Sequence, residues 1–345
     1  MIERLLVIRL SAMGDVAMTL PVIAGLASSN PNVKITVLSR DFLRPIFEKL
    51  PENVEFIGFD AKSKHKDFKG LNELYKELKS RKFDAVADLH NVIRTKYLRL
   101  RFALNGVKVA HIDKGRKEKK ELISHKSFKQ LKTTIQRYRD VFEKLGLRVE
   151  GDFSSIYGNS KPSLVDIAPL FGIESVKPEG ERWIGIAPFA AHKGKAYPVE
   201  LMHECVKMVA ASGGNRVFCF GAGPKETEIL QGWQADNVHC VAGKMRLKQE
   251  LELMSHLDVM VSMDSANMHL ASLVNVPVVS VWGATHPYAG FMGYGQSEES
   301  CVQLDLPCRP CSIYGNKPCV NEKQFCCMDI APVMVVEKIN KIINR

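Results

Sequence analysis

The chain has 345 residues, of which 46% are hydrophobic and 25% charged, and its formal net charge is +10. Its length exceeds what one hydrophobic core usually serves and predicts two domains of roughly 150 residues each, while the composition excludes a disordered or fibrous protein. No apolar run approaches the roughly 20 residues needed to span a bilayer, and the opening MIERLL lacks a signal-peptide pattern, so a cytoplasmic location is expected.

Short β-rich runs open the chain and recur through its first half: Leu5 to Arg9, Lys34 to Leu38, Val54 to Phe59, Ala85 to Leu89 and Val107 to His111. Helical patterns such as Gly70 to Lys82 separate them, an alternation that predicts β-α-β units and a parallel sheet. The stretch RLSAMGDVAMTLP, residues 9 to 21, follows the first run and raises a question about Asp15. A phosphate-cradling turn would reject a carboxylate, so Asp15 is either a helix cap or a group with separate chemistry.

Residues 114–148 carry 12 Lys or Arg against 4 Asp or Glu, a net of +8. Such a patch suits nucleic acid, a membrane surface or an acidic substrate, and equally a solvated basic face. GDFSSIYGNSKPS follows, and residues 161–181 read as a linker between a first domain, 1–160, and a second, 182–330.

Alternation then restarts with strands at Ile184 to Ala187, Arg216 to Phe220, Val238 to Val241, Val259 to Ser262 and Val278 to Trp282. Helices are expected at Val199 to Ser212, Lys225 to Gln234, Lys248 to His256 and Ala266 to Leu273, and 331–345 reads as a terminal amphipathic helix. Ligands of such sheets bind beyond the carboxyl ends of the strands, and three motifs lie there. Lys193 and Lys195 occupy the loop after the first of these strands, where a lysine either neutralises a diphosphate or is simply solvated. Glu226 in GAGPKETE either accepts ribose hydroxyls or simply favours its helix start. In MDSANMHLA, Asp264 ends a strand, Ser265 and Ala266 leave backbone N–H groups free at a helix start, and His269 follows in the first turn. Taken singly, Asp264 reads equally as a cap and His269 as a core residue.

Nine cysteines all fall after residue 204, and six lie between Cys301 and Cys327. Cys308, Cys311, Cys319 and Cys326 have the number and spacing for a tetrahedral zinc knuckle, with reduced structural thiols as the alternative and disulfides a third.

Taken together, SAMGD, FDAVADLHN at 83–91, KAYP at 195–198, KM at 244–245, MDSANMHLA at 263–271, and GATHP with GYG at 283–295 resemble the bacterial lipopolysaccharide heptosyltransferases, glycosyltransferase family 9. The resemblance implies a GT-B fold, two Rossmann-like α/β domains facing a cleft, and inverting heptosyl transfer from ADP-heptose to the Kdo-lipid A inner core. It implies Asp15 as catalytic base, Lys195 with Lys193 at the donor phosphates, Asp264 at the heptose, and Ser265, Ala266 and His269 lining the phosphate site. Met245 would meet adenine and Glu226 the ribose. The anionic acceptor gives the basic patch a ligand, with Arg94, Lys96, Arg116 and Lys117 as its expected contacts, and a peripheral position at the inner membrane follows. No catalytic metal is expected, since no D-x-D pair is evident.

Three departures from the family pattern stand out: Asp-Ser-Ala for Asp-Thr-Gly, K-x-Y-P for K-x-W-P, and the additional Lys193. They leave the donor class firmer than the donor's identity. Two rivals remain: a transferase of the same fold using another nucleotide sugar, and a nucleic-acid-binding protein with a zinc knuckle, which leaves Asp15 and the 264–269 turn unexplained.

Overall fold

A computed structural model describes residues 2–319 and 326–344. The chain divides into two compact units, one comprising residues up to Lys114 with Lys132–Ile156, the other Gly115–Leu131 with Tyr157 onward.

The first unit runs β1 (Arg4–Ile8), α1 (Met13–Ala17), α2 (Leu20–Ser29), β2 (Lys34–Arg40), β3 (Val54–Phe59), α3 (Phe68–Ser80), β4 (Ala85–Asp88), α4 (Ile93–Ala103) and β5 (Lys108–His111). Next come α5 (Arg116–Ile123), part of the second unit, and α6 (Thr134–Leu145), part of the first. The sheet has the order β3-β2-β1-β4-β5 with every pairing parallel, as the alternation requires. Leu6, Ile8, Val86, Leu74, Tyr75, Leu98 and Phe102 form one core between this sheet and the α3–α4 layer. Local chemistry fixes the helix ends. Asp67 accepts the Gly70 N–H ahead of α3, and Thr133 and Gln136 close a reciprocal capping box on α6, which ends at Gly146 with φ +81°.

The second unit continues with β6 (Arg182–Ala187), α7 (Val199–Ala211), β7 (Asn215–Cys219), α8 (Pro224–Gln231), β8 (Val238–Cys240), α9 (Leu247–Met254), β9 (Val259–Met263), α10 (Ala266–Leu273), β10 (Val278–Val281), β11 (Cys301–Val302) and α11 (Pro332–Ile343). Its six parallel strands are ordered β11-β10-β9-β6-β7-β8. Val335 and Ile339 of α11 complete the core together with Met202, Cys205 and Val206 of α7.

Two boundary expectations need correction. Residues 161–181 are no free linker: Leu164, Ile167 and Ala168 are buried, and the Phe171 ring packs edge-on against Phe218 at 5.9 Å. Their i, i+3, i+4, i+7 apolar spacing was masked by the Gly, Ser and Pro around it. Nor does the first domain run unbroken to 160, because residues 115–131 pack on the second unit. There Phe128 stacks on Tyr288 at 5.1 Å, the Leu131 N–H donates to the Tyr288 carbonyl, and the buried Lys119 ammonium lies 4.3 Å from the Phe291 ring centre.

Candidate active site

In the first unit the site is built where β1 ends. Arg9 keeps the sheet register, donating its N–H to Leu38 and accepting the Ser39 hydroxyl on its carbonyl at 2.6 Å. Its buried guanidinium then bridges two elements: Nη1 donates to the Leu89 carbonyl at 2.7 Å, and Nη2 lies 2.6 Å from Asp15 Oδ2. That same oxygen accepts the Ala12 N–H at 3.3 Å. Asp15 therefore does cap α1, and its cap contact and its ion pair share one oxygen. Among the described residues Oδ1 has no hydrogen-bond partner. Tyr138, fully buried on α6, donates its hydroxyl to the Asp15 carbonyl at 3.2 Å, and burial raises its phenol pKa well above the ordinary value, so it remains a donor. For Arg9 burial opposes the charge, but Tyr138 and Asp15 outweigh it and the pKa is raised.

Beside it, β4 ends in the buried Asp88, whose Oδ1 accepts the His90 and Asn91 N–H groups at 3.0 and 2.8 Å while Oδ2 pairs with Arg99. Asn91 takes the left-handed conformation this turn requires, with φ +50°. Burial, reinforced by Arg9, Lys114 and Arg40, pushes His90 down to about 3, so it is neutral at physiological pH. Arg94 and Lys96 follow at the start of α4, where Arg94 donates to the Lys66 carbonyl and Lys96 is exposed.

In the second unit the ends of the adjacent strands β6 and β9 bring two expected residues together. Lys195 Nζ lies 2.8 Å from Asp264 Oδ2, with side chains only 14% and 4% exposed. The Lys195 loop is knitted to its surroundings: Gly194 donates to the Gly315 carbonyl at 3.1 Å, and Ala284 of GATHP donates to the Gly194 carbonyl at 2.7 Å. A Cβ at Gly194 would stand 2.8 Å from the Gly315 oxygen, so this approach needs glycine. Ser265 is the N-cap residue of α10, its hydroxyl 3.1 Å from that of Ser262; Ala266 begins the helix and His269 is buried in its first turn. Lys193 is exposed one residue before Gly194.

Other expected residues are engaged differently. Glu226 Oε2 accepts the Ala222 N–H at 2.8 Å and so closes its own turn, the local alternative to a ribose contact. Met245 is half-buried in the loop after β8. Arg116 and Lys117 are exposed on α5 and thus belong to the second unit, not to the domain expected to bind the acceptor. The K-x-Y-P departure is a packing matter: Tyr197 is buried in the core and donates its hydroxyl to the Ile330 carbonyl.

Arg309, unremarked in the sequence because it lies between two cysteines, organises the loop after β10. Buried to 5% exposure, its guanidinium donates to the carbonyls of Trp282, Gly283, Leu304 and Thr285 and to the Gln303 side chain. Among the described residues no carboxylate forms a salt bridge with it, and burial lowers its pKa. Through Ala284 it holds Gly194 and hence Lys195. The neighbouring Cys308, Cys311 and Cys319 form no disulfide, and among the described residues no group of three or more His, Cys, Asp or Glu side chains is placed to hold a metal ion. Cys308 and Cys319 act electrostatically on Cys311, and Cys311, Cys319 and Cys326 on Cys327, so the cysteines of the expected knuckle lie near one another. The Cys311 thiol is turned to the Ala284 carbonyl, and burial raises its pKa and takes that of Cys327 up to about 12, leaving both protonated at neutral pH.

Two Rossmann-like parallel-sheet units, one carrying a buried lysine–aspartate pair at a helix N-terminus, share the α/β architecture of the GT-B glycosyltransferases. The model of glycosyltransferase family 9 (heptosyltransferase) matches residues 71–323, and the chain belongs to this family. It is similar to the lipopolysaccharide core heptosyltransferase OpsX of Haemophilus influenzae, 24% identical over 312 residues, covering 83% of this chain and 80% of that one. Among solved structures it resembles a family 9 glycosyltransferase from Veillonella parvula, with TM-score 0.75, 19% identity and coverage of 99% and 97%. Escherichia coli heptosyltransferase WaaC with ADP-2-deoxy-2-fluoro heptose matches with TM-score 0.66, 20% identity and coverage of 98% and 99%.

Proposed function

We propose that the protein transfers heptose from ADP-heptose to a sugar hydroxyl of the lipopolysaccharide inner core, with inversion at the anomeric carbon. The observation that carries this reading is the Lys195–Asp264 pair beside the α10 N-terminus. A lysine held there keeps donors for a diphosphate that becomes fully charged as it leaves, and the free N–H groups of α10 add to it. Lys193 extends the same positive field. Asp264 contacts the heptose as well as fixing Lys195, and Ser265, Ala266 and His269 line the phosphate site.

In this reading Asp15 is the general base. Arg9 and the Ala12 N–H hold Oδ2, so Oδ1 takes the proton from the acceptor hydroxyl as that oxygen attacks the anomeric carbon from the face opposite the leaving diphosphate. His90 stays neutral and does not compete as an acid. Arg94 and Lys96 are the first-unit contacts to acidic acceptor groups, and Arg116 with Lys117 offers further cations from α5. The names of the relatives, heptosyltransferases of lipopolysaccharide core, support both the sugar and the acceptor class. Purified protein offered ADP-heptose with Kdo-lipid A and, separately, a heptosylated core is expected to give a product one heptose heavier by mass spectrometry. Neither product forming overturns the reading. Thermal stabilisation by UDP or GDP in preference to ADP would transfer it to another nucleotide sugar.

A further inference from the structure

Helix α4, IRTKYLRLRFA, is apolar on two faces. Thr95, Leu98 and Phe102 turn inward, yet Ile93 is 76% exposed, Leu100 58%, and Leu104 just past its end 74%. Their spacing of seven and four residues puts them on one outer stripe about 16 Å long. The adjacent end of α3 adds Phe68, 64% exposed, whose ring meets Tyr97 of α4 edge-on at 5.7 Å. An outer layer that covers one face of a sheet normally shows charge of both signs to water. This one shows large apolar side chains, and every charged residue of α4 is basic.

The cations divide by use. Arg99 is paired with Asp88, and Arg101 is held by Asn72 and Tyr97. Lys96, between Ile93 and Leu100 on the stripe, and Lys69, beside Phe68, are exposed. The acids on α3 are Glu73 and Glu77, the latter 3.6 Å from Lys64, and α4 has none.

From this combination we infer that the α3–α4 face of the first unit docks on an anionic lipid bilayer, with Phe68, Ile93, Leu100 and Leu104 entering the headgroup layer and Lys69 and Lys96 meeting lipid phosphates. An apolar stripe rimmed by cations, on a helix that carries no acid, is the pattern of an interfacial helix on an anionic surface. Each cation near an anionic surface multiplies partition about fivefold, and each buried large apolar side chain about tenfold or more. The docking explains how a protein with no helix long and apolar enough to cross a membrane, among the described residues, would reach a lipid-anchored acceptor. That last connection rests on the proposed acceptor, but the docking itself is read without any transfer reaction.

The test is co-sedimentation of the purified full chain with vesicles of phosphatidylethanolamine containing 30% phosphatidylglycerol, and with vesicles of phosphatidylcholine alone. Binding to the anionic vesicles is expected, at least tenfold weaker to the neutral ones and falling as salt rises. The double variant Leu100→Glu, Leu104→Glu, both sites being exposed, is expected to lose at least tenfold in vesicle binding while keeping its melting temperature and its ADP-induced stabilisation. Equal binding by the double variant, or no binding to anionic vesicles at low salt, overturns the inference. So does a wild-type dimer in solution that this variant dissociates, because the stripe would then be a contact between copies.

Discussion

Removing one partner of the Lys195–Asp264 pair while leaving the other is the sharpest perturbation of this structure. At 2.8 Å and an effective dielectric near 20 the gross attraction is about 6 kcal/mol, and loss of one partner of a buried pair costs about 3–5 kcal/mol because the other charge is stranded. In a unit of this size each kcal/mol shifts the melting temperature by about 2–4 °C, so Lys195→Met is expected to melt about 10 °C below wild type. Asp264→Asn strands an ammonium that is 14% exposed, and water at that less buried end reduces its loss. The double variant Lys195→Met, Asp264→Asn removes both charges, so it is expected to be more stable than the sum of the two losses implies, with a coupling of about 3 kcal/mol. Melts of the four proteins give the cycle, and repetition with saturating ADP adds the functional readout. Wild type and Asp264→Asn are expected to be stabilised, about 2.7 kcal/mol at a hundredfold excess over Kd, and Lys195→Met to lose most of that gain. Losses that add to within about 0.5 kcal/mol would refute the pairing, and undiminished ADP stabilisation of Lys195→Met would refute its phosphate role.

Other expectations follow from the same geometry. Asp15→Asn retains an oxygen for the Ala12 N–H and is expected to keep fold and ADP binding while transfer falls at least a hundredfold; a mass-spectrometric product assay at near-normal turnover would contradict it. Arg309→Met leaves three buried carbonyls and one part-buried carbonyl without their donor, at about 1 kcal/mol each before relief of the buried charge, so melting should fall by several degrees. Arg309→Lys should recover part of this loss, and both should raise the donor KM more than they lower kcat, since the link through Ala284 positions Lys195. His90 is neutral when folded, with a pKa near 3 against about 6.5 when unfolded, so the unfolded chain binds the extra proton between those values. Its contribution is intact above pH 6.5 and is lost as pH falls towards 3, about 2 kcal/mol by pH 5. His90→Gln should therefore show a smaller drop in Tm than wild type between pH 7 and pH 5, and parallel pH profiles would exclude His90.

Much of the architecture was legible in one dimension. Strand and helix alternation is a local property, because a parallel strand buried on both faces needs an apolar run and its crossover needs an amphipathic helix. Val54 to Phe59 and Ala266 to Leu273 were therefore located to the residue. The same logic brought Lys195 and Asp264 to one sheet edge, since both follow strands whose carboxyl ends align in a parallel sheet. The basic run was legible only as charge. Nothing local reveals that Lys119 is buried against an aromatic ring 172 positions later, so half of a continuous cationic stretch was assigned to the wrong unit.

By itself, then, the sequence determined the class of fold, the ends of strands where chemistry gathers, and the family through motifs whose spacing the parallel sheets impose. Tertiary structure alone decided how each group is held. Tyr138 reaches Asp15 from 123 residues away, Arg309 gathers four carbonyls from 5 to 27 positions before it, and Cys311 turns its thiol to the Ala284 carbonyl. Spacing sets which side chains share an element, but hydrogen-bond partners and burial depend on elements meeting in space, and those encounters carry no local periodicity.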